Sequence, residues 1–221
     1  MPTLPRHLRL LPTLLAALCA GPALAHPHVW VTAKAEVDYV DGKVVGLRHA
    51  WSFDKSYSAF ITQGLDRNGD GVLSPEELAG LAAENTTGLA EFGYFTKLKI
   101  AGRDQAFAEP VEPRMEMKDG ALTLAFRLPL KTAAAPGRGV VALEVYDPTY
   151  FVSFALAEGT DAARLEGAPP GCTTTVTRPK TIEPQTAEAG KPGLSEAFFE
   201  ALTAASNYGV QFANRIIVAC P

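Results

Sequence analysis

The chain is poor in the side chains that most often do chemistry, with four histidines, three cysteines and three methionines among 221 residues. No GxSxG, HExxH or glycine-rich phosphate loop occurs, which removes the common serine hydrolases, zincins and nucleotide-binding enzymes. Three histidines beyond the leader leave little for general-base work, so the chain is not expected to be an enzyme. A CxxC pair is also missing, which argues against a dithiol redox centre or a thiolate metal site. No internal repeat is found, and no second apolar run reaches membrane length.

What is present begins with Arg6 and Arg9 ahead of the apolar run "LLPTLLAALCA" and the small-residue site Ala23 to Ala25. That order predicts a signal peptide over residues 1–25, cleaved after Ala25, and a periplasmic protein not inserted in the membrane. Residues 26–221 would then form one β-rich domain. Losing the leader leaves 18 basic against 24 acidic side chains, a formal charge of −6. Such a balance disfavours nucleic acid and anionic membranes as partners. In an oxidising compartment Cys172 and Cys220 are expected to pair, stabilising the fold by about 4 kcal/mol in the chain-entropy model.

Apolar residues alternate from Val29 to Tyr39 and again from Val45 to Phe53 around Asp41-Gly42, which predicts a β-hairpin with one buried face. Pairing Val37 with Leu47 and Val31 with Phe53 keeps both sets inward and calls for a three-residue turn, since a slip of one residue would turn one set outward. A second hairpin around Asp119-Gly120 pairs Met117 with Leu122 and Met115 with Leu124. Further strands are expected in "TKLKIAG", "GVVALEVYD", "YFVSFALAE" and "CTTTVTRPK". Helical periodicity marks residues 54–65, 75–95 and 194–205, while 179–193 reads as an exposed tether. The expectation is an α+β chain, mainly antiparallel and sandwich-like, with a helix–calcium loop–helix insert over 54–95 and a C-terminal helix.

The insert carries the strongest motif. "DRNGDGVLSPEE" satisfies D-x-[DN]-x-[DN]-G-x5-E through Asp66, Asn68, Asp70, Gly71 and Glu77. Calcium takes six to eight oxygens, and such a loop offers them from alternate positions. Asp66, Asn68 and Asp70 would supply side-chain oxygens, Val72 its carbonyl, Ser74 a water-mediated contact and Glu77 both carboxylate oxygens. A plainer reading makes Ser74 an N-cap, Pro75 the first helical residue and Glu77 the other half of a capping box. Both readings start a helix at Pro75. Sensor loops come in pairs that open a methionine-rich groove, whereas only Met115 and Met117 remain beyond the leader. A structural ion fits better than a switch.

Cleavage would expose "HPHVWV", with a free amine on His26 and a second imidazole on His28. Imidazole suits nickel, copper and zinc, although Pro27 has no N–H to give to a square-planar site. The alternative is a frayed terminus with two exposed rings. His49 falls opposite Ala35, far from His28 and on the other face of the strand, and reads as a partly buried residue beside Trp51.

Several stretches together, "HPHVWV", "AWSFDKSYS", "DRNGDGVLSPEEL", "YFT" at 94–96 and "YDPTYFVSF" at 146–154, resemble a bacterial periplasmic family of unknown function. Its members are often labelled an uncharacterised ABC-type transport component and are commonly encoded beside nickel/cobalt-type exporters. The resemblance implies a secreted accessory protein associated with metal transport and leaves the metal open; a membrane metal transporter is the candidate partner, and nickel, cobalt, zinc and copper are the candidate metals. Its matching positions here are His26, His28, Trp30, Asp54, the loop ligands and Asp147-Pro148. Asp147 also suits a plain turn before proline.

Overall fold

Alternation does set the first hairpin. In the computed structural model, which describes residues 27–179 and 207–221, β1 (Val29–Val40) and β2 (Lys43–Phe53) pair antiparallel with Val31 opposite Phe53 and Val37 opposite Leu47. The turn, however, has two residues rather than three. Asp41 and Gly42 take φ of 50° and 72°, the left-handed pair that matches the twist of a tight hairpin. The extra residue is absorbed by a bulge, since Asp38 faces Gly46 and Tyr39 already faces Val44.

Two short helical elements follow: α1 (Lys55–Ile61) and α2 (Pro75–Gly88), with a 3-10 segment Leu89–Phe95 after the second. Periodicity alone suggested longer helices. The second is broken where Gly93, Tyr94 and Phe95 turn left-handed, at φ of 57°, 56° and 47°. The chain continues through β3 (Thr96–Ile100), β4 (Arg103–Asp104), β5 (Val111–Lys118), β6 (Ala121–Ala134), β7 (Val140–Val145), β8 (Val152–Leu156), β9 (Ala163–Glu166), β10 (Thr173–Thr177) and β11 (Asn214–Ala219). The Asp119-Gly120 hairpin has the expected register, Met117 to Leu122 and Met115 to Leu124. The C-terminal helix expected at 194–205, and most of the expected tether, lie outside the described residues.

One sheet has the order β5-β6-β2-β1-β8, with β9 also on β1, and the other runs β10-β11-β7-β3-β4. Pairing is antiparallel except that β1 runs parallel to β8 and to β9. The inner faces share one core, including Val31, Leu47, Trp51 and Leu124 from the first sheet and Leu98, Leu143 and Ile216 from the second. Trp51 is its aromatic hub, with ring centroids 5.0 Å from both Phe126 and Phe154. Asn214, at the start of β11, pins the sheets together. Its amide donates to Phe154 O at 2.7 Å and its oxygen accepts from Leu156 N at 3.2 Å, so a buried polar group closes the space between two strand edges. Cys172 and Cys220 form a disulfide that ties the start of β10 to the end of β11.

The helical insert sits on the first sheet. Leu78, Ala82 and Thr86, one turn apart on α2, are buried, the stripe expected of a docked helix. Ser58 of α1 is buried and accepts from Leu122 N at 2.9 Å. Both helices are therefore anchored, and the segment between them is carried on a fixed base. No helix among the described residues is long and apolar enough to cross a membrane.

Candidate cation-binding loop

The segment between α1 and α2 curls because its own side chains bind its backbone. Asp66 accepts from Gly69 N at 2.8 Å and from Gly71 N at 2.9 Å. Asn68 Oδ1 accepts from Asp70 N at 2.9 Å, and Asp70 Oδ1 from Val72 N at 2.7 Å. These are Asx turns in series, each carboxylate or amide replacing the carbonyl that a regular element would supply. Gly71 has φ of 80°, a conformation that favours a residue without Cβ. Residues 66, 68 and 70 thus alternate along the turn, and each of their side-chain oxygens accepts a hydrogen bond within the loop.

Glu77 closes the loop. Its Oε1 accepts from Arg67 N at 2.8 Å, while Oε2 accepts from Ser74 N at 3.0 Å and from Ser74 Oγ at 2.9 Å. In return Ser74 Oγ accepts from Glu77 N at 3.3 Å. The capping box expected from the sequence is formed, with Pro75 in the first turn. These donors hold the Glu77 carboxyl down at about 2, the backbone N–H of Ser74 contributing most. Glu77 is an anion at any ordinary pH.

The donor set is all oxygen, which suits a hard cation. An ionised carboxylate oxygen with one N–H bond keeps further lone-pair capacity, and this describes both oxygens of Asp66 and Oδ1 of Asp70. Asp70 Oδ2 takes the amide of Asn68 at 2.9 Å. Oε2 of Glu77 already has two donors, so an ion there would compete with Ser74. Among the described residues no three His, Cys, Asp or Glu side chains converge on a common centre. Val72 and Ser74 stand on the ascending limb of the loop, Val72 exposed and Ser74 partly buried.

The histidines separate. His26 lies outside the described residues. His28 is exposed, its backbone N–H donates to Phe151 O at 2.9 Å, and its ring stands 4.8 Å from that of Phe151. His49 faces Ala35 as expected, but it is buried fully rather than partly, because its position belongs to the inward set of Leu47 and Trp51. Burial pulls its imidazole down to about 3, so it is a neutral core residue.

The other motif positions are structural as well. Asp54 caps α1 through Tyr57 N at 2.9 Å and reaches Trp30 N at 3.2 Å. Asp147 is buried and accepts from Thr149 N, Thr149 Oγ and Val152 N at 2.8 to 2.9 Å, the turn its Pro148 neighbour suggested. Trp51 and Asn214 carry arrangements that sequence reading did not single out. Trp51 showed only as one more inward residue of β2, and the short run "NRIIVA" gave too little alternation to mark β11.

Fold and site together define a two-sheet sandwich bearing a helix–loop–helix insert with an oxygen-rich turn. The chain belongs to the protein family of unknown function DUF1007, which matches residues 11–220. None of the curated proteins compared with the chain matches it.

Proposed function

We propose that residues 66–77 bind one calcium ion as a fastener of the helical insert, in a periplasmic accessory protein that serves a transition-metal transporter. The observation that carries the calcium reading is a loop whose alternating oxygen donors, Asp66, Asn68, Asp70 and Glu77, stand between two anchored helices. A fastener suits the anchoring better than a sensor does. Leu78 and Ala82 are fully buried and Ser58 is bonded to β6, so both helices are already docked, and a single loop lacks the partner loop with which sensor pairs open a groove. The transport role rests on the family resemblance and on His26 and His28 at the expected mature terminus.

A second reading, a structural or interaction module whose only ion is calcium, is favoured by the structural use of Asp54 and Asp147. Native mass spectrometry of the full chain made in cells separates the two, with calcium added first and then nickel, zinc and copper. One calcium is expected, lost in Glu77→Gln; no calcium at millimolar concentration would overturn the assignment. A further transition metal that disappears in the His26→Ala/His28→Ala variant would favour the transport role, and its absence the second reading.

A further inference from the structure

A pocket of about 110 Å³, partly open to solvent, lies between the helical insert and the first sheet, walled by Trp51, Leu89, Phe95, Leu124 and Phe154, with Phe151 on its outer side. Protein interiors seldom leave voids larger than a water molecule. This one has a feature that packing alone does not explain. Trp51 is 1 % exposed, yet its indole Nε1 has no hydrogen-bond partner. A buried N–H left unpaired costs about 1–3 kcal/mol, and each such group in a native protein calls for a reason.

The surrounding backbone points the same way. Phe95 enters the wall from a left-handed turn in which both Tyr94 and Phe95 have positive φ, an arrangement that costs an L-residue roughly 1–2 kcal/mol each. Phe151 follows Tyr150 at φ of 61°, whose ring is stacked on Phe212 with centroids 3.8 Å apart. Two strained aromatic turns thus frame one cavity. Strain of this kind gathers at ligand clamps and binding sites.

A resident water would want two to four polar partners, and the lining residues are aromatic and aliphatic apart from Asn85, the Tyr57 hydroxyl and the indole N–H that Trp51 carries. Asn85 donates its amide to Leu81 O at 2.9 Å. An apolar cavity of about 150 Å³ stays dry and takes up benzene, which sets the scale for the present one. We propose that this cavity binds a small, mostly apolar molecule of about six non-hydrogen atoms carrying one hydrogen-bond acceptor, which takes the N–H of Trp51. The ring or chain fills the space between Leu89, Phe95 and Phe154, and Phe151, 47 % exposed, guards the way in. The site is independent of the calcium loop.

Cyclopentanone, an apolar ring with one acceptor, is a suitable probe, and cyclopentane is the same ring without it. The chain has two tryptophans, so Trp30→Phe leaves the Trp51 indole N–H as a single resonance in a ¹⁵N–¹H spectrum. Titration of the full chain with cyclopentanone is expected to move that resonance saturably at millimolar concentration, with cyclopentane at least fivefold weaker. Leu89→Phe, which puts a larger ring into the cavity, is expected to weaken the ketone at least tenfold; should it not fold, Val152→Phe at the rim takes its place. A shift that never saturates overturns the proposal. So does a saturable shift unchanged in the folded, filled variant, or an indole N–H whose contact with a bound water persists at every ketone concentration.

Discussion

Asp147 and Glu77 each accept three hydrogen bonds from residues within ten positions in sequence, but Asp147 lies 4 % exposed in the turn between β7 and β8, whereas Glu77 is only partly buried in the first turn of α2. The histidines repeat the contrast, His49 in the core and His28 at the surface. Inside, a polar group is desolvated, so every lost partner costs the full penalty of burial. On the rim, water or an ion can replace a partner at little cost. The same residue types therefore hold the fold together in one region and remain open to binding in the other.

The largest effect expected from this contrast is at His49. Its folded-state value is about 3 against about 6.5 for a free imidazole, so between those values the unfolded chain binds the proton and the folded one does not. Its contribution is fully present above about pH 6.5 and is lost as pH falls toward 3, by up to about 5 kcal/mol. Denaturant melts across that range are expected to show wild-type stability falling steeply, with a shallower slope in His49→Leu. Equal slopes would mean that the core admits the charge, and the contrast would fail.

Asp147 comes next. Asp147→Ala strands the N–H groups of Thr149 and Val152 and is expected to cost about 3 kcal/mol, a fall in Tm of roughly 6–12 °C for a chain of this size. Gly209→Ala tests the same turn from the other side, since a Cβ there would stand 1.7 Å from Asp147 O. Both variants should keep calcium binding if they fold, because neither touches residues 66–77. Loss of calcium in a folded Asp147→Ala would couple the two regions.

Much of this was legible in the sequence wherever period and punctuation agreed. Asp119-Gly120 gave the second hairpin its register directly, and alternation through β1 and β2 gave the pairing of Val31 with Phe53. The turn between them was misjudged because a bulge and a longer loop both absorb one extra residue, and only Asp41 and Gly42 in left-handed conformation tell which occurs. The parallel contacts of β1 with β8 and β9 depend on long connections that leave no local pattern. His49 looked half-buried because composition assigns histidine to surfaces, whereas parity with Leu47 and Trp51 placed it inside. In the loop, spacing predicted the cap at Ser74 and the turn at Gly71. The orphaned indole of Trp51 follows from three-dimensional packing and has no counterpart in the sequence.

A smaller effect is expected from calcium itself. If the proposed site is as weak as those of extracellular modules, roughly 10⁻⁴ to 10⁻³ M, 5 mM calcium should stabilise the chain by about 1–2 kcal/mol and raise Tm by roughly 3–6 °C. Scanning calorimetry with calcium and with a chelator checks this. An equal rise with magnesium would point to general screening of the chain's net negative charge rather than to a site.

The smallest effect is the one that most sharpens the contrast. Without calcium, Glu77→Gln keeps one acceptor oxygen, enough for the Ser74 side of the capping box, while its amide NH2 cannot accept from Arg67 N, so the variant should melt only slightly below the wild type. With calcium it should fail to gain the rise seen in the wild type, because a ligating charge is gone. Measured together, the pair of melts separates the two roles of one carboxylate. A large loss without calcium would place Glu77 with Asp147, as a group consumed by the fold. A small loss without calcium and a missing rise with it would leave the capping role dispensable and the charge reserved for the ion.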